Sequence, residues 1–300
     1  MLRKSLPLLV FSLLLTLPAL PLAAAVDPDL LAGMRARSIG PAGMSGRVAA
    51  LAGVDSNPEV VYVGAAAGGV WKSTNGGLTF TPIFDDQPVA SVGAIAVFQA
   101  NPDVVWVGTG EGNPRNSASI GNGVYRSLDG GKTWSHLGLE KTERIDTIVL
   151  HPTNPDVAWI AALGQEWGEN PERGVFKTED GGRTWSKVLY VDPRTGASDL
   201  AIDPSNPNKL FAGMWQFRRW PWFFKSGGPG SGLYVTWDGG KSWRPVTPED
   251  GLPKGDLGRI GPRHLPLPSG GGLCHGRGRE ERRGALGRRR PHLEEGQRAL

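Results

Sequence analysis

The sequence predicts an all-β chain built from four-stranded units of about 50 residues that repeat around an axis. Three observations predict it. Gly and Pro are abundant, with 44 and 25 copies among 300 residues, which is typical of many short strands joined by tight turns. Two short motifs recur along the chain, and β-branched and aromatic residues lie between them. A single Cys excludes a disulfide scaffold.

The first motif is a turn of the form Ser/Thr-x-Asp-Gly-Gly-x-Thr/Ser-Trp. Glycine permits positive φ in such a turn, and Asp accepts hydrogen bonds from the turn's own backbone. The first copy is degenerate, because Asn75 and Phe80 replace Asp and Trp. The four copies run from Ser73 to Phe80, from Ser127 to Trp134, from Thr178 to Trp185 and from Thr236 to Trp243.

The second motif is an Asn-Pro turn that alternates with the first, and its copies begin at Asn57, Asn101, Asn154 and Asn206. Pro fixes φ and cannot continue a strand ladder, so each Asn-Pro ends a strand. In the second unit this places strand A at 92–98, strand B at 104–108, strand C at 123–127 and strand D at 133–137. Such units cannot bury both faces alone and must stack, which predicts a β-propeller with four blades and the start of a fifth.

The Asp-Gly-Gly turns resemble the Asp-box, or BNR, repeat. The segments 37–41, 45–47 and 69–73 (Arg-Ser-Ile-Gly-Pro, Ser-Gly-Arg and Gly-Val-Trp-Lys-Ser) look like the start of large secreted bacterial BNR proteins. Those proteins are similar to the sortilin N-terminal propeller and to xyloglucanase-type glycoside hydrolases. The resemblance covers roughly residues 35–261 and implies a propeller.

The Asp-boxes are interpreted as structural. The same hairpin in every blade cannot form one catalytic site, so the acidic or amide residue caps the turn and the Trp packs between blades. The residues concerned are Asn75, Asp129, Trp134, Asp180, Trp185, Asp238 and Trp243.

Candidate ligand-binding residues lie at the opposite end of the blades, where strands B and C are joined. These B–C connections are long and rich in Arg, Glu and Trp, and long loops on a rigid scaffold often carry function. Alternatively, the loops pack on each other, on a neighbouring domain or on a partner subunit. The candidates are Arg47, Glu111, Arg115, Asn116, Trp167, Arg218, Arg219, Trp220 and Trp222.

Support for catalysis is weaker. Glycoside hydrolysis needs two carboxyl groups, roughly 5–5.5 Å apart for retention or roughly 6.5–9.5 Å apart for inversion. Glu111, Glu166, Glu169 and Asp86 are candidates, but nothing in the sequence pairs them. The sialidase Arg-Ile-Pro motif is absent, and no His or Cys spacing indicates a metal site. We therefore expect no metal and no cofactor.

The N-terminus has the pattern of a secretory signal peptide at 1–25, followed by a lead-in segment at 26–46. Arg3 and Lys4 precede an apolar stretch that ends at three small residues, Ala23 to Ala25. We expect a secreted or periplasmic protein with no membrane partner after cleavage. A nucleic-acid partner is not expected either, because the net charge of +4 comes from the C-terminal segment, which holds nine Arg and four Glu.

Propeller blades are expected over 47–261, and residues 262–300 have the composition of a frameshifted, disordered segment. Codons for Ser269 to His275 exist that, read from the second base, encode Pro-Glu-Val-Val-Tyr-Ala, which repeats the motif at 58–62. The sequence thus predicts a truncated, exported propeller that binds a peptide or a glycan. The alternatives are a glycoside hydrolase acting on a polysaccharide and a structural or assembly propeller.

Overall fold

The computed structural model describes residues 47–264 and 272–278. The predicted signal peptide, the lead-in segment with its motif at 37–41, and the remainder of the predicted C-terminal segment lie outside the described residues. Within the described part of the chain, no helix has the length and apolar character that crossing a membrane requires.

The described residues form four blades of antiparallel strands, and in blades 1 to 3 each strand pairs with the next along the chain. Blade 1 consists of β1 (Val48–Val54), β2 (Asn57–Ala65), β3 (Val70–Ser73) and β4 (Thr81–Pro82). Blade 2 consists of β5 (Val92–Val97), β6 (Val105–Thr109), β7 (Val124–Ser127) and β8 (Ser135–His136). Blade 3 consists of β9 (Ile145–Leu150), β10 (Ala158–Ala162), β11 (Gly174–Thr178) and β12 (Ser186–Leu189).

Blade 4 contains an additional strand. It consists of β13 (Thr195–Asp203), β14 (Asn206–Trp220), β15 (Phe223–Ser226), β16 (Gly232–Thr236) and β17 (Arg244–Pro245). A fifth unit begins with β18 (Leu257–His264), which pairs with β19 (Gly272–Gly278). The first strands of successive units contact one another, β1 with β5, β5 with β9, β9 with β13 and β13 with β18. This arrangement confirms the predicted all-β propeller.

The apolar core lies between the blades. One cluster joins blades 2 and 3 through Trp106, Ile145 and Ile160, and equivalent clusters join blades 1 and 2 and blades 3 and 4. The second strands of blades 2 and 3, β6 and β10, are fully buried, because all five residues of each strand are shielded from solvent. Each blade is therefore stabilised by burying the apolar faces of its neighbours.

The Asp-box residues make the contacts expected of a turn cap. Asp129 accepts hydrogen bonds from the Thr133 amide at 2.9 Å and the Thr133 hydroxyl at 2.6 Å, and from the Ser127 hydroxyl at 2.7 Å. The Thr133 hydroxyl and these other donors lower the pKa of Asp129 to about 2. Asp180 and Asp238 make the same set of contacts, so each carboxylate serves its own turn.

The two sequence motifs meet within each blade. The Gly130 amide of the blade 2 Asp-box donates to the Asp103 carbonyl of the Asn-Pro turn at 2.9 Å. The Gly130 carbonyl accepts a hydrogen bond from Lys72 Nζ of blade 1 at 2.8 Å. Corresponding bonds run from Arg126 to Gly181 at 3.3 Å and from Trp159 to Gly239 at 3.1 Å. The Asp-box thus connects the turns of one blade and joins that blade to the preceding one.

The Asp-box tryptophans add a second link between blades. Trp134 Nε1 donates to the Ile83 carbonyl at 2.7 Å, and Trp185 Nε1 donates to the Leu137 carbonyl at 2.7 Å. Both rings therefore lie between neighbouring blades. Trp243 differs, because its buried Nε1 atom has no hydrogen-bond partner among the described residues.

The structure corrects two details of the predicted organisation. The B–C connection of blade 4 is a β-hairpin and not a loop: strand B extends to Trp220, and β15 returns from Phe223. Strand B continues into this hairpin because Trp215 and Phe217 on β14 pack with Phe224 on β15 as one aromatic cluster. In addition, the boundary expected at residue 261 falls inside β18.

We predict that the Trp134→Phe and Trp185→Phe variants each lower the free energy of unfolding by about 1 kcal/mol, because each leaves a carbonyl without its donor. Trp243→Phe is the matched control, since it removes an Nε1–H that has no partner. Urea unfolding followed by circular dichroism measures the three changes. Equal losses in all three variants would contradict the assigned role of the Trp hydrogen bonds.

Candidate functional site

The candidate site is the end of the blades opposite the Asp-boxes, here called the B–C face. Its central element is residues 110–122, here called the blade 2 loop. Gly110 has φ of +88°, and a Cβ at Gly110 would collide with the Glu143 carbonyl of blade 3. A Cβ at Gly112 would collide with the Asp146 carboxylate. Glycine therefore allows the blade 2 loop to lie directly against blade 3.

Glu111 of the blade 2 loop forms a bidentate ion pair with Arg47, which precedes β1. Arg47 Nε lies 2.9 Å from Glu111 Oε1, and Arg47 Nη2 lies 2.5 Å from Oε2. Hydrogen bonding to Glu111 raises the pKa of Arg47. Glu111 is buried, and its amide donates to Ser91 Oγ at 3.1 Å. The sequence placed both residues in a ligand site, whereas the structure pairs them with each other.

Arg259 of β18 contacts several blades at once. It donates to Asn113 Oδ1 of the blade 2 loop at 2.9 Å and forms an ion pair with Asp146 of blade 3. Its guanidinium lies over the Trp215 ring of blade 4 at 5.4 Å. Burial raises the pKa of Asp146 to about 7, with a further contribution from Asp199, although Arg259 opposes the shift. This arginine joins the first strand of the fifth unit to three preceding blades.

A second ion pair is fully enclosed beneath the loops. Arg144 precedes β9 and lies 3.4 Å from Glu166 of the blade 3 B–C connection, and neither side chain is exposed. Burial raises the pKa of Glu166, and Arg144 opposes that shift. Glu111 and Glu166 each lie beside an arginine, and both carboxylates are buried. Neither is positioned to contact a polymer.

Arg173 fixes the shape of the blade 3 connection. It is buried, and it donates to the carbonyls of Gln165, of Gly168 at 3.1 Å and of Arg194 at 3.2 Å. Its guanidinium lies 4.5 Å from the Phe217 ring of blade 4. Burial lowers the pKa of Arg173 to about 10, and its guanidinium is held by backbone carbonyls.

The residues predicted from the sequence do not include Arg144, Asp146, Arg173 or Arg259. A signal for Arg144 was present, because it immediately precedes the first strand of its blade, as Arg47 does. Arg259 has the same pattern, because it precedes Ile260 as Arg144 precedes Ile145, whereas Arg173 carries no comparable signal. Their roles depend on side chains and carbonyls from other blades, which only the assembled structure brings together.

The predicted site residues divide into an enclosed set and an exposed set. The enclosed set consists of Glu111 and Glu166. Asn116 and Arg219 bind each other at 2.5 Å, and the Arg219 amide donates to the Glu166 carbonyl at 2.8 Å. The exposed set comprises Arg115, Trp167, Glu169, Arg218 and Trp222, with Trp220 half-buried. Asp86 is also exposed, in the connection after β4.

The exposed aromatic and cationic residues concentrate on the β14–β15 hairpin. We define the hairpin surface as Arg218, Trp220, Trp222, Phe223 and Lys225. The Arg218 guanidinium lies 4.7 Å from the Trp220 ring centroid, and the Trp220 and Phe223 rings are 6.0 Å apart. Exposed fractions reach 82% for Trp222 and 52% for Phe223.

Within 47–264 and 272–278, no three His, Cys, Asp or Glu side chains are grouped so as to hold a metal ion. The hairpin surface combines aromatic rings with cationic groups, a combination that suits contact with a ligand.

Comparison with known proteins supports the fold. Residues 122–250 match the Sortilin-Vps10 family model, described as sortilin, neurotensin receptor 3. An ancestral GH74 enzyme superposes with a TM-score of 0.55 at 20% identity, covering 75% of this chain and 28% of that one. The GH74 xyloglucanase from Xanthomonas campestris superposes with a TM-score of 0.52 at 21% identity, covering 76% and 33%. No curated protein sequence matches the chain.

These comparisons confirm the resemblance to Asp-box propellers that the sequence motifs indicated. The superpositions support the architecture, and identities of 20% and 21% do not extend the likeness to activity. The chain spans about a third or less of the length of these two structures.

We predict that Arg47→Met lowers the free energy of unfolding by about 3 kcal/mol, because it leaves the buried Glu111 carboxylate unpaired. Glu111→Gln should cost less, since the amide still accepts a hydrogen bond. The double variant should cost less than the sum of the two single variants, and urea unfolding measures the coupling. Strict additivity would contradict the pairing.

We predict that Asp146 makes stability depend on pH between about 4 and about 7. Its pKa is about 7 in the folded chain and about 3.9 when unfolded, so the folded state favours the protonated form. The contribution of Asp146 is therefore greatest at low pH and is lost as pH rises through 7. Urea unfolding at about pH 5 and about pH 8 measures the effect. Between these two pH values the free energy of unfolding of the wild type should fall relative to that of Asp146→Asn. A difference that does not change with pH would contradict the assignment.

Proposed function

We propose that the chain is an exported propeller module that binds an extended ligand, a peptide or a glycan, through the hairpin surface on its B–C face. The observation that carries the proposal is the exposure of several large aromatic and cationic side chains on one hairpin, with Trp222 at 82%. A cluster of exposed apolar rings, unlike scattered single ones, marks an interaction site.

The chemistry of the hairpin surface supports this proposal. Trp and Arg are the residues that most often dominate binding energy at interfaces. Trp220 and Trp222 offer ring faces that stack on sugars or pack on apolar peptide side chains, and Arg218 offers a planar guanidinium for hydrogen bonds. A binding surface of this kind serves either ligand class.

The support behind the hairpin favours a preorganised surface. The Arg219 side chain binds Asn116, and its amide binds the Glu166 carbonyl. Phe217 and Phe224, from the two hairpin strands, pack with Trp215. Ordering these strands before a ligand arrives reduces the entropy lost on binding. The chain at Glu166 therefore lies against the hairpin, and the next residue, Trp167, is 39% exposed.

The glycosidase alternative has less support. Glu111 and Glu166 are buried and paired with Arg47 and Arg144, so neither carboxyl group is accessible to the glycosidic oxygen or the sugar carbon of a polysaccharide. The likeness to GH74 enzymes concerns the fold. An assembly role, by contrast, would use the same exposed rings for protein contact, and the experiment below separates it from glycan or peptide binding.

We predict that the full 300-residue chain binds members of a glycan array or of a peptide library, and that Trp222→Ala and Trp220→Ala weaken binding about tenfold each. Trp237→Ala is the matched control, because Trp237 is also exposed, at 53%, but lies in the Asp-box at the other end of blade 4. A hydrolysis assay on the same glycans runs in parallel.

Three outcomes would contradict the proposal. The first is hydrolysis that Glu166→Gln abolishes, which would establish the enzyme. The second is binding that Trp237→Ala weakens as much as Trp222→Ala does. The third is an absence of glycan and peptide binding together with self-association that Trp222→Ala removes, which would establish an assembly propeller.

A further inference from the structure

The hairpin surface carries positive charge without compensating acidic residues of its own segment. No Asp or Glu occurs between Asp203 and Asp238, a stretch that includes all of β14, β15 and β16. Arg218 and Lys225 are exposed on the hairpin. Arg115 is exposed in the blade 2 loop, whose Asn116 binds Arg219 on the other face of the hairpin. These cations are therefore available to a ligand.

We propose, on the basis of the function proposed above, that the ligand of the hairpin surface is an acidic polysaccharide, a glycan that bears carboxylate or sulfate groups. The inference names the ligand class of that same surface. It rests on the juxtaposition of exposed aromatic faces with guanidinium and ammonium groups that have no acidic neighbour in the hairpin.

The geometry of the cations suits an anionic group on a sugar. Arg218 lies over the Trp220 face at 4.7 Å, and this stacking limits the freedom of its side chain before binding. A planar guanidinium binds carboxylate or sulfate oxygens in pairs. A sugar that stacks on Trp222 or Phe223 would present its substituents to the Arg218 and Lys225 groups on the strands behind the turn.

The exposed rings favour a glycan over an acidic peptide. Trp222 is 82% exposed and Phe223 is 52% exposed, so these rings present faces rather than a pocket. Peptide side chains are usually selected by pockets or by pairing along a strand edge, whereas a sugar ring needs only an open aromatic face. An acidic peptide is therefore the less favoured ligand, and the experiment includes it.

The first experiment measures binding of the full 300-residue chain to polygalacturonate, dextran sulfate, neutral dextran, polyglutamate and phosphatidylserine-containing vesicles. We expect binding to one or both acidic glycans, weakened tenfold or more as salt rises from about 50 mM to about 500 mM. Preference for polygalacturonate assigns carboxylate recognition, and preference for dextran sulfate assigns sulfate recognition. Either result supports the inference.

The second experiment uses charge-reversal variants. Arg218→Glu combined with Lys225→Glu should weaken acidic-glycan binding at least tenfold. Lys132→Glu combined with Lys241→Glu is the matched control, since it makes the same charge change at exposed Asp-box positions of blades 2 and 4, and it should change binding less than twofold. Near-UV circular dichroism verifies that both double variants keep the native tertiary structure.

Several results would overturn the inference. Binding of polyglutamate or of vesicles without acidic-glycan binding would assign an acidic peptide or a lipid surface instead. Equal effects of the two double variants would show a non-specific charge effect. Salt-independent binding of neutral dextran that Trp222→Ala weakens would overturn the acidic class while leaving the proposed function intact. Failure of every glycan and peptide probe would overturn both.

Discussion

The structure depends on one constraint, which is that a single blade cannot bury its own apolar faces. Residues such as Trp106 and Ile160 are shielded from water only because the next blade covers them. The polar groups at the blade ends must then find partners within or between blades. The Asp-box meets this requirement, since its Asp binds the turn, while its Gly carbonyl accepts a bond from the preceding blade.

The same constraint organises the opposite face. Because adjacent first strands lie side by side, the residues at their beginnings and the B–C connections converge. The blade 2 loop is contacted by Arg47 from the start of blade 1, Arg219 from blade 4 and Arg259 from the fifth unit. Many charged side chains on this face therefore hold the loops together. Only the charged residues outside these contacts are exposed where a ligand could reach them.

The sequence predicts the local part of this structure well and the non-local part poorly. The turns, the strand order and the packing of the Asp-box tryptophans follow from motifs of about eight residues, because the interactions that decide them are local. The pairing of Arg47 with Glu111 joins positions 64 residues apart, and no local pattern encodes it. The hairpin of blade 4 depends on both kinds of information. The aromatic residues are present in the sequence, but strand B continues because Phe217 and Phe224 pack with Trp215 in the folded chain.

Burial distinguishes the charged residues that hold the B–C face together from those that remain exposed, since the residue types are the same in both sets. Arg144 and Glu166 are removed from water and must neutralise each other, because an unpaired buried charge is strongly destabilising. Arg218 keeps contact with solvent and stacks on Trp220, so its charge costs the folded chain little and stays available. An exposed cation held by an aromatic ring binds an anion at a lower entropic cost than a flexible one. The candidate surface is therefore the part of this face where the positive charge is ordered but not neutralised.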